Sequence, residues 1–139
     1  MPVVCVDTNV WFYALARPAQ GEMQKHLAAR ELIDGLEQPV VTPQIVNELT
    51  ANLLRKRSWS EAELRALIAD MRSRCRYFVP APEWHEQASL LREPHGLSFW
   101  DSLVVASALA AGSDVLASED MQHGMRIDTL SIANPFVPA

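Results

Sequence analysis

Apolar residues fall along this chain in two alternating rhythms. Short unbroken runs, "VVCV" at 3–6, "VVT" at 40–42, "YFV" at 77–79, "VLA" at 115–117 and "TLSI" at 129–132, have the character of strands covered on both faces. They predict five strands. Between them the rhythm lengthens to helical spacing, with Met23, Leu27, Leu32, Ile33 and Leu36 on one stripe and Ile45, Val46, Leu49, Leu53 and Leu54 on a second. Thr42-Pro43 starts that second helix. Leu64, Leu67, Ile68 and Met71 mark a third, opened by "SEAE" at Ser60 as a capping box, and residues 83–93 a fourth. The segment from Ser98 to Ala111 is apolar nearly all round, which predicts a buried helix ended by Gly112. Strands alternating with helices imply a mostly parallel sheet with helices on both faces.

Length and composition support that reading. A chain of 139 residues, half of them apolar, fits one domain with a real core, and neither low-complexity tracts nor internal repeats interrupt it. The apolar start stops at Asp7 without a basic leader, and "LVVASALAAG" is too short to span a bilayer, so a cytoplasmic protein without a membrane partner is expected. Cys5 and Cys75 show neither CxxC spacing nor a disulfide framework and are read as buried thiols.

The pattern also places four carboxylates. In a parallel sheet with right-handed crossovers, strand ends and the starts of the helices beside them share one edge. Asp7 ends the first strand, Glu48 lies in the second turn of the helix after the second, Asp101 is in the first turn of the buried helix, and Asp120 follows the fourth strand. Four acids from four distant elements converge there. Each has a local alternative: Asp7 closing an Asx turn, Asp101 completing a capping box with Ser98, Asp120 capping a turn. Capping does not predict all four together, and Glu48, among Ile45, Val46 and Leu49, would need a partner.

Like charges gathered at one edge destabilise each other unless a cation joins them, and no Lys or Arg lies within two residues of any of the four. One or two hard divalent ions, Mg²⁺ or Mn²⁺, suit oxygen ligands and keep water positions open. Such an ion makes a nucleophile of bound water and neutralises charge on a phosphodiester, so the chemistry expected is phosphodiester hydrolysis.

At this point the motifs "DTNVWFYAL", Glu48 within "TPQIVNEL", "LSFWDSLVVASALAAG" and "VLASEDMQHG" resemble, in order and spacing, the four acidic motifs of PIN-domain ribonucleases. The ending "LSIANPF" is similar to the family's last strand, and the whole is most similar to VapC toxins of bacterial toxin–antitoxin pairs. The resemblance implies a single domain over 1–139 with a three-layer α/β/α PIN-like fold and a mostly parallel five-stranded sheet of order 3-2-1-4-5. It implies a metal-dependent endoribonuclease cutting single-stranded regions of RNA. Asp7, Glu48, Asp101 and Asp120 would hold or orient the metal, with Glu119 a possible substitute for Asp120, and Asn9 and Ser118 would orient these acids. A homodimer and a VapB-like antitoxin are implied as partners.

Net charge is −5, yet residues 55–76 carry seven basic and three acidic side chains, leaving −9 elsewhere. A basic stripe on an acidic body can lead an RNA backbone toward the acids, and Arg55, Lys56 and Arg57 are the candidates, against the alternative of a solvated helix face. Trp59 beside them is the candidate for stacking on bases, whereas Trp11 and Trp100 lie in apolar helical stretches and are assigned to the core. His123 is read as structural, since no His/Cys set supports zinc. Two other classes compete. A receiver-like domain would need an Asp where "YFVPAP" has none and a late lysine, and no lysine follows Lys56. A catalytically inactive PIN-like binding module should have lost acids, and all four are present.

Overall fold

The computed structural model describes residues 1–138 and sets six short strands in one sheet. β1 (Val4–Val6) leads into α1 (Thr8–Leu15) and α2 (Met23–Asp34), and β2 (Val40–Val41) into α3 (Pro43–Arg57) and α4 (Glu61–Arg74). β3 (Arg76–Tyr77) leads into α5 (Trp84–His95) and α6 (Phe99–Ala110), followed by β4 (Val115–Ala117), β5 (Arg126–Ile127) and β6 (Leu130–Ala133). Strand order is β3-β2-β1-β4-β6-β5, with every pairing parallel except β5 against β6. The five predicted strands keep the expected order, with β6 fifth, but the sheet is six-stranded and mixed. The extra strand is a two-residue hairpin arm turned at Asp128, which holds φ 53°, and two residues leave no periodic signal.

From β1 the chain steps outward to β2 and β3, then returns past β1 to β4. Right-handed crossovers put the helices of these two halves on opposite faces, giving three α/β/α layers. α1 packs on α2 and α3, α5 packs on α6, and α6 lies against β4. Cys5, Val6, Val40, Val41, Leu116 and Ile132 fill the middle of the sheet, and Ile45, Leu49 and Leu53 seal it from α3. Both cysteines are free and buried, and burial pushes the Cys5 thiol far above its ordinary value, so it packs as an apolar group. Thr42 Oγ1 caps α3 through the Ile45 N–H, and Ser60 and Glu63 form both halves of the expected capping box.

Several expectations shift. β3 is an exposed edge strand rather than one covered on both faces, displaced from 77–79 to Arg76–Tyr77, and pairing extends only to the Phe78 N–H before Pro80. Met23 and Leu27 of α2 are exposed while Ala29 makes the buried contact, and Leu54 also faces out. Trp11 is core as expected, but Trp100 is 63% exposed. Ser98 caps α6 so that its first turn, Phe99 and Trp100, protrudes before the helix dives into the core from Ser102 to Ala108. Among the described residues, no helix is long and apolar enough to cross a membrane.

Candidate active site

The carboxyl ends of β1 and β4 meet at the point where strand order reverses, the crevice in which open α/β sheets bind ligands. A cavity of about 420 Å³ opens there, and Asp7, Glu48, Asp101 and Asp120 all line it. Four acids that lie up to 113 residues apart in sequence are thus brought together.

Asp7 is the buried member, 6% exposed. Its position follows from β1, because its N–H continues the sheet by donating to the Ala117 carbonyl at 2.9 Å while its side chain caps α1. Oδ1 accepts from the Thr8 N–H and Oδ2 from Ser118 Oγ, each at 2.8 Å. Burial pushes its carboxyl up to about 6; those two hydrogen bonds oppose the rise, and the negative charges of Glu48 and Asp120 add to it.

Glu48 leaves the apolar face of α3 for the open cavity, where Thr8 Oγ1 donates a long hydrogen bond to it at 3.4 Å. Partial burial, with Asp101 and Asp120 nearby, holds its carboxyl above the usual range. Asp101 is set by the cap of α6: Ser98 Oγ accepts from its N–H at 3.1 Å, but its carboxylate returns no bond to the Ser98 backbone. That is half a capping box, and the carboxylate is left to the cavity. Partial burial first, and Asp120 second, raise its pKa.

Asn9 and Ser118 tie the two strand ends together. Asn9 Nδ2 donates to Asp120 at 2.8 Å, its Oδ1 accepts from the Glu119 N–H at 3.2 Å, and Ser118 Oγ also accepts from the Asp120 N–H at 3.3 Å. Glu119 is turned away and ion-paired with Lys25, whose ammonium lies 5.0 Å from the Tyr13 ring centre. Asp120, not Glu119, lines the cavity.

Of the basic candidates, Lys56 and Arg57 line the cavity and Arg55 does not. Arg57 pairs with Glu22 at 3.0 Å, whereas Lys56 makes no ion pair among the described residues. Trp59 is half-buried against the core and stands outside the cavity lining. His123 Nδ1 accepts from the Asn134 N–H at 2.9 Å, a turn-stabilising bond. Among the lining residues that escaped the sequence reading are Thr8, Asn52, Trp100 and Gln44, one turn before Glu48 and near enough to oppose the rise of its pKa. Spacing from Glu48 was the only signal available for Gln44.

The donor set is carboxylate oxygen throughout, which fits a hard divalent cation that keeps some of its waters. Among the described residues, no three Asp, Glu, His or Cys side chains close into a metal-holding group, so the cavity is lined by ligand candidates rather than caged.

The PIN domain family model matches residues 4–124 of the chain. No curated protein sequence matches it. Among solved structures, VapC20 of Mycobacterium tuberculosis, a toxin that cleaves the sarcin-ricin loop, superposes with a TM-score of 0.63 at 20% identity, covering 84% of this chain and 91% of that one. A toxin–antitoxin complex from Klebsiella pneumoniae gives a TM-score of 0.71 at 13% identity, covering 96% and 98%.

Proposed function

The chain belongs to the PIN-domain family, and from that premise we propose that it is an Mg²⁺- or Mn²⁺-dependent endoribonuclease, the toxin of a toxin–antitoxin pair. One observation carries the reading: Asp7, Glu48, Asp101 and Asp120 line a single cavity at the switch point of the sheet, with Asp7 buried, its carboxyl raised chiefly by that burial and further by Glu48 and Asp120. A carboxylate in that position costs stability in the free protein, and a cation is the natural compensation.

Asp7, Glu48, Asp101 and Asp120 would hold one or two ions, which supply an activated water and neutralise charge on the phosphodiester. Ser118 Oγ and the Thr8 N–H fix both oxygens of Asp7, so that its ionised form, the majority above pH 6, has one orientation. Asn9 holds Asp120 in the same way, and Lys25 keeps Glu119 out of the cavity. Lys56 meets the RNA backbone at the rim. An antitoxin partner is inferred from likeness to the Klebsiella pneumoniae complex, a VapB-like identity and a homodimer from the family resemblance.

A second reading, a PIN-like module that binds RNA or protein without cutting, is favoured by the absence of a closed ligand group among the described residues. Incubating purified protein with total cellular RNA in Mn²⁺ separates the two. Discrete fragments that vanish with chelator and with Asp7→Asn support the nuclease. Intact RNA from folded, partner-free protein supports the binding module.

A further inference from the structure

Trp100 is the most exposed tryptophan-sized apolar surface at the cavity and it belongs to no core cluster. It immediately precedes Asp101 and lines the same cavity. Phe99, itself 51% exposed, meets it edge-on, with ring centres 5.2 Å apart and planes at 85°. That geometry fixes the indole while covering at most one of its two faces. Phe99 is in turn held by the Arg92 guanidinium, 5.0 Å from its ring centre, and Arg92 is anchored to Ser102 Oγ at 2.9 Å. The protruding turn is therefore braced on its own helix pair rather than loose. Lys56, exposed, without an ion pair among the described residues and with its ammonium 5.8 Å from the Phe12 ring centre, stands on the lining of the same cavity.

From this we propose that Trp100 is a base-binding subsite: it stacks an unpaired nucleobase of a single-stranded RNA whose phosphate is met by Lys56 at the rim of the acidic cavity. The inference rests on the nuclease reading of that cavity for its ligand. An open indole face, a braced backbone and a free cation together meet the requirements of single-strand binding, in which every base offers a π-face and a cation tracks the chain. The subsite positions the nucleotide that flanks the cut, whichever base it carries, without touching the reacting atoms.

The test uses full-length protein and a short labelled single-stranded RNA, first in chelator, where binding is read by anisotropy without cleavage. Trp100→Ala is expected to weaken binding about tenfold or more, with Trp100→Phe recovering most of the loss. In an abasic scan of the same RNA, one position should weaken the wild type and leave Trp100→Ala indifferent. Equal binding by wild type and Trp100→Ala, or losses at every abasic position alike in both, overturns the subsite. So does a Trp100→Ala protein that changes its sedimentation and not its RNA affinity, because the face then belongs to a second copy of the chain. Cleavage in Mn²⁺ is read separately: Trp100-dependent binding without cleavage leaves the subsite standing and removes the nuclease, whereas cleavage indifferent to Trp100 does the reverse.

Discussion

Two clefts of the protein, of about 420 and 710 Å³, follow opposite charge logic. In the cleft between α1, α2 and α4, lined by Trp11, Ile33, Leu67 and Met71, Asp34 is paired with Arg30 at 3.6 Å and Asp70 with Arg74 at 2.9 Å, each one helical turn away. At the carboxyl edge, Asp7, Glu48 and Asp120 accept from neutral donors, and Arg57 on the same cavity lining serves Glu22. Asp34 and Asp70 at the first cleft are each paired with an arginine of their own helix, whereas among the described residues none of the four carboxylates at the second has an ion-pair partner. The same residue type closes ion pairs in one place and, in the function proposed above, holds a cation in the other.

Substitutions sharpen that contrast in descending order of effect. Asp7→Asn or Asp101→Asn is expected to reduce Mn²⁺-dependent cleavage about a thousandfold, read as initial rates on a fixed RNA. The same Asp7→Asn change should stabilise the metal-free protein. Asp7 ionises at about 6 in the folded state against an ordinary 3.8, so the unfolded chain releases its proton first and the folded protein loses stability as pH rises between those values. The loss is about 3 kcal/mol at most, and denaturant melts at pH 4 and pH 7.5 should show it in wild type and not in Asp7→Asn. Ser118→Ala and Asn9→Ala free an Asp7 oxygen and Asp120 respectively, and each should lower cleavage about 10- to 100-fold with the fold intact. Asp70→Asn breaks an exposed pair in the balanced cleft and should cost well under about 1 kcal/mol, with no effect on cleavage; a large loss there would erase the distinction between the clefts.

Much of the carboxyl edge was legible in the sequence because topology alone assigns it. Strand ends and helix starts of a parallel sheet share an edge, so Asp7, Glu48, Asp101 and Asp120 could be placed together before any distance was known. What periodicity hides is where an element protrudes. Trp100 reads as core because α6 is apolar all round, yet a capped first turn lies beyond the sheet, and Met23 and Leu27 fit a buried stripe on a helix that buries Ala29 instead. Pairings across long separations leave no local trace either. Lys25 and Glu119 are 94 residues apart, and only their meeting shows why Asp120 and not Glu119 lines the cavity. The β5 arm was too short to register, so the sheet was read as having five strands.

If the four carboxylates take up a divalent cation as proposed, a thermal melt of metal-free protein at pH 7.5 with increasing Mn²⁺ shows it most directly. Binding to the folded state alone predicts a melting temperature that climbs with the logarithm of free Mn²⁺ in the wild type. Asp7→Asn should begin higher and climb far less, while Asp70→Asn should follow the wild type. A wild-type melting temperature indifferent to Mn²⁺ up to millimolar concentrations, or an identical climb in Asp7→Asn, would contradict the account.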